Sequence, residues 1–248
     1  MLALNRLALD LKIEGATAIQ IDLLHADLWN WIDPTSTLHG RPWQLFSFGI
    51  VSRGSTWAHL RIQSLDQEFS LAIIQKLATS RSIQLGMQTY LITEVIPLPL
   101  DNPSLIQTHT PVVIRTLRTP GTHQARQCLT QHDVRYLTYL QDISRAKLIR
   151  IGFLDEDLPE TLITPIEILT QRHWIHPNKS AVVGSIGIWA LHGTQEVRQA
   201  MILAGIGAKT GIGCGFASPY PISKLNTKAR DRYLEMVEQE EQVMLDCV

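Results

Sequence analysis

The sequence predicts an α+β protein built from two successive β-α-β-β-α-β units, and three observations lead to this prediction. Segments with alternating apolar residues, typical of strands, are interleaved with segments that repeat apolar residues at helical spacing. Prolines at Pro97, Pro99 and Pro103 interrupt the chain and favour a domain boundary there. A glycine-rich stretch, residues 205–216, follows the last of the alternating segments and precedes a charged tail.

The composition allows a sizeable core and gives no overall nucleic-acid-binding signature. The chain has 248 residues, 45% of them apolar, which suffices for one large domain or two small ones. It carries 22 Lys and Arg against 23 Asp and Glu, but the acids gather at 154–160 and after Arg232, so the remainder is mildly basic. Its three scattered cysteines form neither a disulfide framework nor a zinc-ligand spacing. With no signal-like start and no membrane-length apolar run, we expect a soluble cytoplasmic protein without a membrane anchor.

The first unit is predicted from its apolar periodicity and from turn residues. Gly15 closes the first strand, Asp33-Pro34 ends the first helix, and Arg53-Gly54 predicts a hairpin turn. This order is that of a ferredoxin-like (RRM-like) domain, in which two helices cover one face of a four-stranded antiparallel sheet. The other face is then available for binding. The predicted strands are 3–14, 43–52, 56–65 and 83–96, and the predicted helices are 17–31 and 66–79.

The second unit repeats the order in a more degenerate form. We expect domains at 1–100 and 111–222, the second containing the glycine-rich loop 205–216, and a charged helical tail at 223–248. The predicted strands of the second unit are 111–118, 163–172 and 181–191, and its predicted helices are 132–145 and 194–204.

The glycine-rich loop is the strongest functional signal in the chain. Phosphate-binding glycine loops follow a strand and precede a helix, whereas this loop follows a helix that Thr194 is expected to cap, and leads into a strand. A helix N-terminal phosphate cradle is therefore the wrong mechanism. We expect instead that backbone N–H groups of the loop, with Lys209 and Thr210, line an extended polyanion. The alternative is a tight turn. The loop glycines are Gly205, Gly207, Gly211, Gly213 and Gly215.

Two segments together resemble a known family. The first, Gly-Ile-Gly-Ala-Lys-Thr-Gly-Ile-Gly-Cys-Gly-Phe at 205–216, is similar to the signature of the CRISPR-associated endoribonucleases that cut the precursor transcript within its repeats. These enzymes belong to the repeat-associated (RAMP) superfamily. The second, Leu-His-Gly-Arg-Pro-Trp-Gln-Leu-Phe at 38–46, resembles the family segment after the first helix that carries a catalytic histidine. With the order of elements, the resemblance covers most of residues 1–220.

The resemblance implies metal-independent cleavage of RNA without a cofactor. A base takes the proton from a ribose 2′-OH, the oxygen attacks the adjacent phosphate, and an acid protonates the leaving 5′ oxygen. His39 is the matching histidine, and an unperturbed pKa of about 6.5 suits either role. Arg41 would stabilise charge on the phosphate. His25 on the first helix is an alternative base. Family members often carry a lysine and a tyrosine where this chain has Arg41 and Trp29, so the proton donor stays open.

Further residues are candidates for contact with the RNA backbone, because cations supply most of the affinity for nucleic acid. Each has the alternative of an ordinary solvated side chain. Trp43 and Trp57 are expected in the core, with base stacking as the alternative. His173 and His176 are three residues apart in a predicted strand or turn, which places them on opposite faces of an extended chain, so no zinc site is expected. The cationic candidates besides Lys209 are Arg53, Arg115, Arg118 and Arg172.

The partners implied are CRISPR repeat RNA and the crRNA made from it, with subunits of a CRISPR effector complex as further candidates. A homodimer formed through the charged tail is an open alternative. Two other functions stay open at this stage. One is a non-catalytic RAMP subunit that binds crRNA, and the other is a ferredoxin-like domain that binds a small molecule or nucleotide.

Overall fold

A computed structural model describes residues 6–15, 24–32, 45–85, 87–99, 102–115, 128–175, 181–208, 210 and 213–246. They form two large antiparallel sheets with helices packed on them and a separate two-stranded ribbon, which confirms the predicted α+β class. Within these ranges, no helix combines the length and apolar character needed to cross a membrane.

The first half of the chain forms a five-stranded sheet with two helices. Neighbouring strands are antiparallel in the order β2-β3-β1-β5-β4. Strand β1 lies in the middle, and its register with β3 pairs Asp10 with Arg61. The elements are β1 (Leu7–Glu14), α1 (Leu24–Ile32), β2 (Phe46–Arg53), β3 (Trp57–Ser64), α2 (Gln67–Thr79), β4 (Ser82–Leu85) and β5 (Gln88–Pro97).

The two helices of the first half cover one face of this sheet. Alternate residues of β1 and β3, among them Leu11 and Leu60, point into the core because side chains of a strand alternate between faces. The Phe46 and Phe69 rings stack with centroids 3.8 Å apart, and Trp29 of α1 meets Phe46 edge-on at 5.2 Å. Such aromatic pairs add about 0.5–1.5 kcal/mol beyond burial. They fix both helices on the sheet.

The second half forms a four-stranded antiparallel sheet in the order β11-β6-β10-β9, and a separate two-stranded ribbon, β7-β8. Strands β9 and β10 make a long hairpin. The elements are β6 (Leu105–Thr108), β7 (Ile114–Arg115), β8 (Cys128–Leu129), α3 (Tyr136–Arg150), β9 (Ile163–Ile175), β10 (Ala181–Leu191), α4 (Gln195–Ala204), β11 (Ala217–Pro219) and α5 (Thr227–Asp246).

Helices cover both faces of the second sheet. In β10, Trp189 and Leu191 join the core made with α3 and α4, whereas Ile188 and Ala190 join a smaller core against α5 that includes Tyr233. The alternation along one strand therefore fills two apolar layers. The charged tail thus has a structural role as the cover of the outer face.

The structure corrects three of the predicted elements. The predicted strand 83–96 is two strands, β4 and β5, because the chain turns at Met87. The proline-flanked segment 97–110, expected to be a boundary, contains β6, an inner strand of the second sheet. The strand predicted at 111–118 is reduced among its described residues to Ile114–Arg115, preceded by isolated bridges at Val112 and Val113. The Thr194 cap of α4 is confirmed, since its hydroxyl accepts from the Val197 N–H.

Candidate nucleic-acid interface

Part of the predicted site lies outside the described residues. This holds for His39 and Arg41, and for Lys209, Gly211 and Arg118. Of the other predicted residues, His25 is in α1, and Arg172 is in β9, where it pairs with Gly184 of β10. The structure describes only the backbone of His25 and Arg172. The catalytic assignments therefore stay predictions. The described site consists of the glycine-rich loop and the surface where the two halves meet.

The glycine-rich loop begins where α4 ends and is hydrogen-bonded to itself and to the segment before β7. The Ile206 N–H donates to the Gly215 carbonyl oxygen at 2.9 Å, so the two ends of the loop are joined. The Ala208 N–H donates to Val113 O at 2.8 Å, and the Gly215 N–H donates to Pro111 O at 2.8 Å. The described part of the loop is therefore held in place by the protein itself.

The described loop glycines are required by contact with protein atoms. Gly215 has φ of +65°, and a Cβ there would lie 1.8 Å from Ile206 O. Gly207 has φ of +75°, and its Cβ would lie 2.8 Å from Val113 O. Both positive φ values and both approaches exclude other residue types. Packing thus explains these glycines without a ligand, and their contact with RNA stays a prediction.

The loop also packs against the sheet of the first half. A Cβ at Gly49 of β2 would lie 2.6 Å from the Phe216 ring, and one at Gly213 would lie 3.1 Å from the Phe48 ring. A Cβ at Gly205 would lie 2.8 Å from Ser47 Cβ. Residues 205–207, 210 and 213–216 of the loop are therefore buried between the two halves.

Lys147 of α3 is buried beside the start of this loop. Its Nζ donates to the carbonyl oxygens of Gly205 at 2.8 Å and Ala204 at 3.2 Å, and lies 3.5 Å from the Thr210 hydroxyl. A cation at the C-terminal end of α4 complements the helix dipole. Burial lowers the pKa of the Lys147 ammonium to about 7, because desolvation disfavours the charged form.

A charged cluster lies on the outer face of the first sheet, the face opposite its helices. Asp10 of β1 accepts from Arg61 at 3.1 Å and contacts His59 Nδ1 at 2.8 Å. Its carboxylate side chain is only 9% exposed, whereas those of His59 and Arg61 are 25% and 20% exposed. The Trp57 indole lies edge-on to the His59 ring at 5.6 Å. The His59 and Arg61 side chains, which both contact the buried carboxylate, are therefore partly exposed to solvent.

His109, just after β6, faces this cluster from the second half. Its Nε2 lies 2.7 Å from the Ser218 hydroxyl, and its ring is tilted against that of Phe216 at 5.6 Å. Burial and, to a lesser degree, the positive charge of Arg61 lower the pKa of His109, so it is neutral at pH 7. Arg61, His59, His109 and Ser218 offer hydrogen-bonding groups of the kind that contact phosphate.

The other predicted contacts are dispersed. Arg53 is exposed at the end of β2, and Arg115 is half-buried at the end of β7, close in sequence to Val113 that bridges Ala208. Trp57, expected in the core, is 37% exposed on the outer face of β3. Thr210 is buried. Within the described ranges, no group of three or more His, Cys, Asp or Glu residues lies together as a metal site.

Sequence reasoning missed Asp10, His59, Arg61, His109 and Lys147. One signal was available, because Trp57, His59 and Arg61 alternate with apolar residues and so share the polar face of one strand. Their partner Asp10 follows only from the register of β1. His109 and Lys147 depend on tertiary contacts that no local pattern carries.

Comparisons with known proteins find similarity in sequence and in fold to CRISPR-associated proteins. No family model matches the chain. Over 160 residues the chain is 25% identical to the putative CRISPR-associated endoribonuclease-like protein Cas6 of Pyrococcus furiosus. The aligned segment covers 63% of this chain and 65% of that protein, so the chain spans less than two thirds of its relative's length. The fold matches a RAMP protein binding different RNA substrates (TM-score 0.69, 18% identity, 87% of this chain and 100% of the other). It also matches a Cas6 product complex (TM-score 0.61, 17% identity, 88% and 100%).

The resemblance found in the motifs is thus confirmed in sequence and in fold, as similarity to CRISPR-associated Cas6-type repeat-processing proteins. At these identities the structural matches establish the fold alone.

Proposed function

We propose that this protein is a Cas6-type endoribonuclease that cleaves precursor CRISPR RNA within its repeats to generate crRNA. The observation that carries the proposal is the glycine-rich signature at 205–216, which lies between α4 and β11 in a fold shared with a Cas6 product complex over 88% of the chain. The sequence similarity to a protein named as endoribonuclease-like supports the same activity. Repeat RNA and crRNA are the proposed ligands.

We further propose that the chain consists of two ferredoxin-like domains and a helical tail. The second half supports this with its four-stranded antiparallel sheet and with the order β6-α3-β9-β10-α4-β11, once the β7-β8 ribbon is counted as an insertion. The first half follows the same order once β4 is counted as an added edge strand. The proposed domains are 1–100 and 102–222, the second extended from 111 to include β6, and the tail is 223–248.

The proposed chemistry is metal-independent, with His39 as base or acid. His39 would accept the 2′-OH proton while the oxygen attacks the adjacent phosphate, and Arg41 would stabilise the charge that develops there. His25 is the alternative base. The proton donor for the leaving 5′ oxygen is not Trp29, which occupies the place of a family tyrosine. It is 5% exposed in the first core, against Phe46 and Phe69.

We propose that RNA lies along the surface between the halves. Arg61, His59 and His109 supply groups there that can contact phosphate, and Trp57 presents an exposed ring beside them for a base. The basic residues predicted from sequence are proposed as further contacts with the RNA backbone, namely Lys209, Arg53, Arg115, Arg118 and Arg172.

Cleavage of a synthetic CRISPR repeat RNA from the source genome, in EDTA, tests the proposal. Wild-type protein should cut the RNA. His39→Ala should abolish cutting and leave the Kd for RNA largely unchanged, because the base is lost while the binding surface remains. His132→Ala, which changes an exposed histidine before α3, is the matched control and should cut normally. Undiminished cutting by His39→Ala would remove His39 from the mechanism.

Replacement of Lys209 tests the role of the loop. Lys209→Ala should weaken RNA binding and reduce the slope of log Kd against log salt by about 1, as expected for loss of one phosphate contact. An unchanged slope would count against Lys209 as a backbone contact.

One observation favours a second candidate, a non-catalytic RAMP subunit that holds crRNA. Trp29 is buried and Arg41 replaces the family lysine, so neither position offers a proton donor for the leaving oxygen. Arginine is a poor proton donor because its guanidinium group stays protonated in proteins. RNA that is bound by the wild-type protein but never cut would select this alternative.

A further inference from the structure

Lys147 is the buried cation that the proposed RNA chemistry does not use. It lies in the last turn of α3, is 7% exposed, and directs its ammonium group at the junction between α4 and the glycine-rich loop. The ammonium has three N–H donors, and three oxygen atoms lie within 3.5 Å of it. Its hydrogen-bonding capacity is therefore matched by its surroundings.

The three oxygens belong to the last residue of α4 and to the first half of the loop. Ala204 ends the helix, Gly205 is the first loop glycine, and Thr210 is five residues further on. The Thr210 side chain in turn packs on Gly205, where a Cβ would lie 2.7 Å from Thr210 Cγ2. Lys147 thus connects the beginning of the loop to its middle, on either side of Lys209 in sequence.

Burial of an ammonium without a carboxylate is costly, and a well-packed apolar side chain would commonly be as stable or more so. None of the described oxygens that Lys147 contacts belongs to a carboxylate. Overall stability therefore does not account for a lysine at this position. Its specific effect is on the conformation of the loop that it contacts.

We infer that Lys147 is a positioning residue whose side-chain nitrogen fixes the path of the glycine-rich loop between Gly205 and Thr210, in the form that the loop presents to RNA. The RNA part of this inference rests on the proposed function. The effect of Lys147 on the conformation of the loop does not depend on the proposed function, because it is a property of the protein without RNA.

A change in the protonation of Lys147 can be used to test its effect on the loop. With a pKa of about 7, it loses one donor and its charge as the pH rises through neutrality. No titratable group is among the described residues that line the small cavity beside it, contributed by α3, α4 and the loop. They are Ser144, Leu148, Ile151, Ala200, Met201, Ala204, Gly205 and Ile206.

Amide hydrogen exchange of the full chain without RNA tests the loop part. Lys147→Met should raise exchange at Ile206 and Ala208 about tenfold, with amides of β1 and β3 unchanged, because only the loop loses its contacts. Arg150→Met is the matched control, since it removes an exposed cation from the last turn of the same helix. It should leave loop exchange unchanged. Equal exchange in wild type and Lys147→Met overturns the inference.

A pH series on the wild-type protein needs no variant, and so decides the case even if Lys147→Met does not fold. After correction for intrinsic exchange, loop protection should rise at least about threefold between pH 6 and 8.5, with β1 and β3 unaffected, because an opening that hydrates Lys147 returns its pKa toward 10.5 and is favoured while the group is protonated. In Lys147→Met the corrected protection should be flat. A flat wild-type profile overturns the inference.

Binding of the synthetic repeat RNA tests the remaining part. Lys147→Met should raise Kd by about five- to twentyfold, and Arg150→Met by less than about twofold. Faster loop exchange with unchanged Kd would overturn the role in RNA binding. A wild-type protein that binds no repeat RNA overturns the proposed function, and the exchange data then decide separately whether Lys147 positions the loop.

Discussion

The two sheets of this protein differ most in the face turned away from their helix pairs. In the second half, α5 covers that face with an apolar layer that includes Ile188 and Tyr233. In the first half, the corresponding face carries Asp10, His59 and Arg61, with His109 of the second half beside them. One sheet therefore has a closed outer face, whereas the other has a polar one that partly reaches solvent.

This difference between the two outer faces indicates where a ligand can bind. A four-stranded sheet with two helices has one free face, and a helix that occupies this face removes it from use. The second sheet has been closed by its own tail. The outer face of the first sheet, and the surface that this sheet shares with the second half, are therefore the faces on which a ligand can bind.

The largest expected effect comes from polar substitution on the closed face. Ile188→Asn should lower the free energy of unfolding by about 3–5 kcal/mol, because it places an amide without partners in the layer under α5 and removes apolar contacts. Leu91→Asn, on the outer face of the first sheet, is the matched control. Leu91 is 60% exposed, so the cost should stay within about 0.5 kcal/mol. Urea unfolding measures both, and equal costs would contradict the difference between the faces.

An intermediate effect is expected from the buried carboxylate of the open face. Asp10→Asn should cost about 1–3 kcal/mol in unfolding, because His59 and Arg61 lose their charged partner. Under the proposed function it should also tighten RNA binding, since a negative charge leaves a surface that meets phosphate.

Glu14→Gln supplies the control for Asp10→Asn. Glu14 is on the same strand and the same face, where it pairs with Lys12 at the surface. Exposed pairs of this kind contribute little, so its unfolding free energy should barely change. Weaker RNA binding by Asp10→Asn would argue that RNA does not lie along this face.

The smallest effect is a pH dependence at the boundary between the halves. Burial lowers the pKa of His109 from 6.5, so the unfolded chain takes up the proton first as the pH falls. The contribution of His109 to stability is therefore complete above pH 6.5 and is lost as the pH falls toward its folded pKa. Urea unfolding between pH 7 and 5 should show a steeper loss in wild type than in His109→Gln. Parallel curves would show that His109 is not buried in solution.

Local pattern was enough to predict most helices, most strands and the α+β class. The cap at Thr194 and the hairpin at Arg53-Gly54 are short-range features, and both are confirmed. Strand β6 was missed because four residues flanked by prolines give too short a pattern to exceed a boundary signal. Its place in the sheet is decided by pairing with β10, more than 70 residues away in the chain.

The candidate site was less predictable for a related reason. Charged residues were selected by their position near motifs, whereas the described cluster is assembled by strand register and by contact between the halves. The glycines were predicted to line an extended polyanion, and that contact stays a prediction. The atoms that lie close to the described loop glycines belong to the protein's own backbone and aromatic rings. The spacing of glycines in the sequence cannot distinguish such contacts from contacts with a ligand.

The packing of the glycine-rich loop also has a mechanical consequence. Gly213 and Phe216 touch β2 of the first half, while Ala208 is bonded to the segment before β7 in the second. The described part of the loop therefore contacts both halves, which also meet where α4 packs on β2 and β3 and where Arg6 donates to Gln199. A displacement of one half against the other would therefore strain the contacts of this loop together with the packing of α4.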